Sequence, residues 1–305
     1  NPEFLREGNA IEDFMNPDRI VIGTRHAKAQ ETLASLYKPF TEKGFTLFAT
    51  DIASSEMIKY AANAFLAVKI SFINQIADLC EKVGAHVGDV ANGLGADHRI
   101  GSAFLNPGPG YGGSCFPKDT KALIHTASKH GQDLSIVRAA ATSNEERKHH
   151  LANRLIQAID AQGKEKTFKL AILGITFKAR TDDMRDASSL VIIPELLKNG
   201  IQLTVFDPIY HQGSGREHTL PEFKGVTWAQ SIQDALQGAD GLCILTEWDE
   251  FKNLDLNQVR QFMAPNPLFA DFRNLYQYQD TQGFYYMSLG QKDRPLTLDQ
   301  KVRHA

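Results

Sequence analysis

Apolar positions three and four residues apart dominate the first half of the chain, and short continuous apolar runs dominate the second. From 56 to 83 no glycine or proline intervenes. There Met57, Tyr60, Ala61, Ala64, Phe65, Val68, Phe72, Ile76 and Leu79 recur at helical spacing. Asp51, Ser54 or Ser55 is placed to cap this helix, and Gly84 to end it. A helix of ~28 residues is ~42 Å long. That length suits a spine, either between two subunits or within one core. Further helices are predicted over 26–40, 119–130 and 134–160, with a short strand at 45–49. Residues 104–118 hold four Gly and three Pro, which forbids both helix and central strand.

Past residue 161 the pattern changes. Strands are predicted at 169–176, 201–207, 239–245 and 267–271, with helices at 187–199, 230–237 and 256–263 between them. This alternation implies a doubly wound parallel sheet. The expected fold class is therefore α/β: a central all-helical domain over 1–160, then a Rossmann-like sheet domain over 161–305. Residues 290–305 are polar and read as a loose tail.

Composition narrows the function classes. Of 305 residues, 33 are Lys or Arg and 36 are Asp or Glu, a net charge of −3. Nothing in that balance favours nucleic acid or an anionic membrane. No apolar run approaches the ~18 residues of a membrane span. Cys80, Cys115 and Cys243 are far apart, which gives neither a disulfide framework nor zinc spacing and favours a reducing, cytoplasmic compartment. The histidines show no ligand spacing, so no metal is expected. The chain opens Asn-Pro-Glu-Phe without an initiator Met or signal pattern, and reads as the downstream part of a longer protein.

Cys115 lies in the Gly/Pro loop between Ser114 and Lys118. Near cations and a helix start, a thiol becomes a stronger nucleophile. The alternative is a buried small hydrophobe, the reading preferred for Cys80 and Cys243. Lys59 and Asn63 share a helix face and either line a cleft or form a solvated stripe. Glu3 and Glu7, four apart, read alone as solvated. After the strand at 169–176 comes Gly174-Ile-Thr-Phe-Lys178, with one glycine where a dinucleotide turn has three. Asp207 ends the next strand, at the place of a ribose-binding acid. Lys178, Arg180 and Arg185 favour a phosphate-bearing ligand over a plain, ligand-free sheet. Arg273 is either a phosphate clamp or a surface residue.

Eight segments together resemble the UDP-glucose/GDP-mannose dehydrogenase family. They are Asn-Pro-Glu-Phe-Leu-Arg-Glu-Gly at 1–8, Pro-Asp-Arg-Ile-Val-Ile-Gly at 17–23 and Glu-Met-Ile-Lys-Tyr-Ala-Ala-Asn at 56–63. Arg-Ile-Gly at 99–101 and Gly-Tyr-Gly-Gly-Ser-Cys-Phe-Pro-Lys-Asp at 110–119 follow. The last three are Gly-Ile-Thr-Phe-Lys at 174–178, its continuation to Arg185, and Thr-Glu-Trp at 246–248. The resemblance spans nearly the whole chain, and the string around Cys115 is highly specific. It implies an NAD-dependent, four-electron oxidation of UDP-glucose at C6 through a cysteine thiohemiacetal and thioester. GDP-mannose or a UDP-N-acetyl sugar is the alternative substrate, and a non-catalytic, dimerising sugar-nucleotide module the alternative class.

By the same resemblance Cys115, Lys59, Asn63, Asp119 and Glu3 are catalytic. Phe4, Leu5, Glu7, Arg99, Phe104, Leu105, Asn106, Gly108, Gly112, Phe177, Lys178 and Arg273 bind substrate, Arg99 from a partner subunit. Arg185 contacts NAD. A homodimer through the long helix is implied. The family's N-terminal NAD-binding domain is expected to be missing.

Overall fold

The computed structural model describes residues 1–161, 163, 168–216 and 219–296. The first segment is a strand–helix–strand unit. It comprises α1 (Ala10–Met15), β1 (Ile20–Gly23), α2 (Ala27–Leu36), α3 (Lys38–Thr41) and β2 (Leu47–Thr50). β1 and β2 pair in parallel, Ile20 opposite Leu47. Sequence pattern alone gives neither α1 nor β1, and reads 26–40 as one helix. That helix breaks at Tyr37 because the Pro39 ring would strike the carbonyl of residue 35 in a continuous helix.

The helical region follows, with α4 (Ile52–Val83), α5 (Val87–Ala96), α6 (Phe116–Lys129) and α7 (Ser135–Asp160). α4 has 32 residues and is ~48 Å long. Asp51 caps it, its carboxylate accepting the Ser54 amide at 2.9 Å. Gly84, at φ +78°, ends it in the left-handed conformation glycine tolerates. α4 packs against α6 and α7. Its buried face is small or polar: Ser55, Asn63, Ala64, Ala67, Ser71, Asn74 and Ala77 accompany Ile73 and Cys80. Small side chains let the helices approach closely. The large residues of the predicted stripe, Phe65, Phe72 and Leu79, point to solvent.

The last region holds β3 (Lys169–Leu173), α8 (Ser189–Lys198), β4 (Gln202–Phe206), β5 (Thr227–Trp228), α9 (Ile232–Leu236), β6 (Gly241–Ile244), α10 (Leu256–Phe262), β7 (Leu268–Asp271) and β8 (Tyr285–Ser288). The six strands are all parallel, in the order β5-β4-β3-β6-β7-β8. Strand order reverses between β3 and β6. In such sheets the crevice at the strands' carboxyl ends, beside the reversal, is the natural ligand site. Gly174, Asp207, Thr246 and Arg273 follow β3, β4, β6 and β7 there. Two apolar cores flank the sheet.

The expected loose tail is only partly so. Gly290 donates to Glu81 on α4 at 2.9 Å and accepts from the Val87 amide at 2.8 Å. Asp293 pairs with Arg154 on α7 at 2.5 Å. The segment just past β8 thus clasps the helices to the sheet, and 297–305 lie outside the described residues. Among the described residues no helix is long and apolar enough to cross a membrane.

Candidate active site

Cys115 stands at the start of α6, half-buried, its sulfur 3.6 Å from the Ser114 hydroxyl. One turn on, the Asp119 amide donates to the Cys115 carbonyl at 2.9 Å. The Asp119 carboxylate is buried, at 1% exposure, and holds two partners. Asn63 Nδ2 donates to Oδ2 at 2.5 Å, and Lys118 Nζ to Oδ1 at 2.5 Å. That hydrogen bond keeps the Lys118 ammonium above the usual lysine range. Asn63 lies one turn along α4 from Lys59, whose ammonium meets Glu3 Oε1 at 3.2 Å. Glu3 Oε2 in turn accepts the Leu5 amide at 2.7 Å. All five residues assigned a catalytic role are therefore linked in one chain of contacts and helix turns.

The first segment closes over this group. Lys59 stands over the Phe4 ring at 5.6 Å, and Arg19 over the same ring at 4.1 Å. Glu7 ties that segment to the sheet domain. Its carbonyl accepts Lys178 Nζ at 2.5 Å, and its carboxylate accepts the Thr181 hydroxyl at 2.7 Å. Burial lowers the Lys178 pKa, against the pull of Glu7. Arg185 pairs with Asp183 at 2.7 Å and lies 3.7 Å from Glu7.

The loop at 104–114 forms the opposite wall. Phe104 takes a positive φ of 64° and packs edge-on against Phe116. Leu105 is buried against the α4–α5 core, and Asn106 follows it into the glycine run. A Cβ on Gly112 would fall 2.5 Å from the Asp186 carbonyl oxygen. One on Gly113 would fall 2.7 Å from the Phe177 ring. One on Gly108 would fall 3.4 Å from Arg273 Nη1. Arg273 itself donates to the carbonyls of Leu245 and Phe177 and meets Glu247 at 3.0 Å. Glycine is required at 112 and 113, where loop and sheet domain meet without room for a side chain, while at 108 a Cβ would stand in ordinary contact with the arginine.

Arg99 stands apart. Its guanidinium folds onto Asp97 and is largely exposed. The adjoining carbonyls of Ile100 and Gly101 hold Lys69, ten residues (~15 Å) along α4 from Lys59. Asp207 faces inward rather than to a ligand. It is fully buried and accepts the Ile175 and Ile209 amides and the Trp248 indole. Arg180 pairs at the surface with Asp249. Cys80 and Cys243 are buried.

Sequence reasoning missed the residues that shape the loop. Asn74 on α4 accepts the Gly108 amide at 2.9 Å. Asn144 on α7 accepts the Tyr111 amide at 2.7 Å and donates to the Tyr111 carbonyl at 3.0 Å. Arg147 donates to the Gly108 carbonyl at 2.5 Å, and Lys148 to the Asp186 carbonyl at 3.3 Å. Asn144, Arg147 and Lys148 share one face of α7. That spacing was the available signal, but a polar face reads by default as solvated.

A helical unit with a cysteine at a helix start, set against a parallel doubly wound sheet, defines an α/β protein of Rossmann-like type. Comparison with known proteins takes this further. Three models of one family match in order along the chain. They are the NAD binding domain at 1–41, the central domain at 53–146 and the UDP binding domain at 171–278 of the UDP-glucose/GDP-mannose dehydrogenase family. The chain belongs to that family. It is 46% identical over 297 residues to a UDP-glucose 6-dehydrogenase of Rhizobium meliloti (strain 1021), covering 96% of this chain and 66% of that protein. With UDP-glucose 6-dehydrogenase YwqF of Bacillus subtilis (strain 168) it shares 44% identity over 96% of this chain and 64% of the relative.

Among solved structures, a UDP-glucose dehydrogenase from Pyrobaculum islandicum matches with a TM-score of 0.78 at 33% identity, over 90% of this chain and 59% of that one. The UDP-D-ManNAc dehydrogenase of Pyrococcus horikoshii, at 24% identity and a TM-score of 0.79 over 96% and 64%, shares the fold. The chain thus spans just under two thirds of these curated relatives.

The matches correct one expectation. The NAD-binding domain is not wholly absent, since residues 1–41 match its model. The parallel β1–α2–β2 unit is its physical sign. Without β1 assigned as a strand, that unit reads as part of the helical domain.

Proposed function

We propose that this chain carries the catalytic and substrate-binding machinery of an NAD-dependent UDP-glucose 6-dehydrogenase. The observation that carries the reading is the linked group Glu3–Lys59, Asn63–Asp119 and Cys115, set beneath a glycine loop and Arg273. The names and identities of the relatives support the substrate.

The residues present fit one edge of a dinucleotide site. β1 and β2 end side by side at Gly23 and Thr50, and the Arg185 guanidinium is mostly exposed. When bound, NAD⁺ would supply the hydride acceptor, a fresh NAD⁺ for each of the two oxidations. The C6 hydroxyl must lose its proton as it is oxidised, and a water held by Glu3 and Asp119 takes it. Lys59 stabilises the developing oxyanion, worth ~3–4 kcal/mol if it acts as other oxyanion donors do. Cys115 Sγ then adds to the C6 aldehyde, and the resulting thiohemiacetal carries the hydrogen lost in the second oxidation. Water adds to the thioester that remains, the C–S bond breaks, and the acid leaves with the thiol restored.

Phe4, Leu5, Glu7, Phe104, Leu105, Asn106, Gly108, Gly112, Phe177, Lys178 and Arg273 hold the nucleotide sugar. Arg99 serves a second subunit's site across a homodimer. The exposed Phe65, Phe72 and Leu79 on α4, seven residues apart, suit that dimer face. The three free cysteines suit the cytoplasm.

Calorimetric titration with UDP-glucose, with GDP-mannose alongside, tests the substrate. Binding of UDP-glucose alone is expected. Binding of GDP-mannose alone, or of neither by folded protein, would overturn the assignment. In the active enzyme Cys115→Ser should abolish net formation of the acid, and rapid formation would sink the covalent route.

A further inference from the structure

Gly108 is held at both ends of its backbone by buried side chains from two helices. Asn74 takes its N–H and Arg147 its carbonyl. Arg147 is 5% exposed and spreads its fork further. Nη1 donates to the Asn74 carbonyl at 3.2 Å and to Asp78 at 2.9 Å. Two residues along from Pro109, Asn144 holds both backbone groups of Tyr111. This arrangement is costly. Burial opposes the Arg147 charge, and two buried donors, Arg147 Nη2 and Asn74 Nδ2, have no hydrogen-bond partner among the described residues. Apolar residues would fill the same space at no such cost. A polar brace persists here for what it fixes, and what it fixes is the backbone beside Arg273.

We propose that Arg147 is a positioning residue for sugar-nucleotide binding. Its guanidinium fork, with Asn74 and Asn144, locks the 107–111 segment in the one shape that leaves room for substrate beside Arg273. The proposal rests on the reading of that loop as a wall of the substrate site, and deepens it. A planar fork is required because one head group must reach the Gly108 carbonyl, the Asn74 carbonyl and Asp78 together. Lysine, whose three donors all sit on one nitrogen, cannot span them. Asp78 is more than a third exposed, so removing the arginine strands no buried anion.

The experiment uses the whole chain as wild type, Arg147→Lys and Arg147→Met. Hydrogen exchange is followed over 104–113 and over α4 and α7. UDP-glucose is titrated into each, and Cys115 is alkylated with iodoacetamide. In both variants exchange over 104–113 should rise and UDP-glucose affinity should fall, each by about tenfold or more. Protection of α4 and α7 and the alkylation rate should stay at wild-type values. Wild-type behaviour of Arg147→Lys would overturn the fork. Loss of protection throughout α4 and α7 would make Arg147 a general fold residue and overturn positioning. A folded wild type that binds no UDP-glucose would overturn the substrate reading instead, while exchange over 104–113 would still decide the brace.

Discussion

The sheet domain and the helical region solve the same problem of burial with opposite chemistry. In the sheet, β3, β6 and β7 are almost wholly apolar and buried, and Phe269 packs edge-on against Tyr276, Phe284 and Tyr286. On α4 and α7 the buried groups include Asn63, Ser71, Asn74, Asn144, Arg147 and Lys148. The sheet is a platform held by transfer of apolar surface, which has no direction. The helices carry a loop that must keep one shape, and hydrogen bonds do have direction. Stability should therefore sit mainly in one region and site geometry in the other.

The sharpest way to break that contrast is a pair of substitutions measured by chemical denaturation. Phe269→Ala leaves a cavity in a fully buried aromatic cluster and should cost ~3–5 kcal/mol. Asn144→Ala frees two backbone groups of Tyr111 and should cost less, ~1–3 kcal/mol, yet it alone should speed exchange over 104–113. Equal costs, or a loop that stays closed in Asn144→Ala, would erase the distinction.

The same contrast explains what could be read in advance. The sheet was legible because fully buried strands are short apolar runs. The loop expected over 104–118 holds only to Cys115, because Pro117 sits in the first turn of α6, where a missing N–H costs nothing. β8 escaped because Tyr285–Ser288 mixes aromatic, Met and Ser, and β5 because it has two residues. In the helical region the length and ends of α4 were legible, but its inward face was not. Phe65, Phe72 and Leu79 carry the apolar signal and face out, while the packed side is alanine, serine and asparagine. Cys115, Lys59 and Asn63 stood out by type and spacing. Asn74, Asn144 and Arg147 did not, since a polar residue on a helix is ordinarily solvated and only tertiary packing reveals a brace.

Alkali probes both regions by one mechanism. Burial pushes Tyr111, in the loop, and Tyr276, under the sheet, up to about 12. An unfolded tyrosine ionises near ~10. The folded chain therefore keeps protons that the unfolded chain loses between those values. Their contribution is full below pH ~10 and is lost as pH rises through about 12. Tyr111→Phe and Tyr276→Phe should each flatten the fall in stability over that window, seen in urea midpoints at pH ~9 and ~11. An unchanged slope in either variant would mean its hydroxyl is wet.

The smallest expected effect comes where the two regions should behave alike. Gly84 ends α4 at φ +78°, and Gly238 follows α9 at φ +68°. A Cβ on Gly238 meets nothing within 4 Å, and one on Gly84 only the Lys292 side chain at 3.6 Å. Packing, polar or apolar, is therefore not at stake. What remains is the strain of a left-handed residue, ~1 kcal/mol for Ala in either place. Asn at either position should recover part of it, since its short side chain tolerates that conformation. Thermal midpoints of the four variants check this. If Gly84→Ala costs clearly more than Gly238→Ala, the end of α4 is doing more than stopping a helix. The clasp from Gly290 to Glu81 and Val87, one turn away, would be the first place to look.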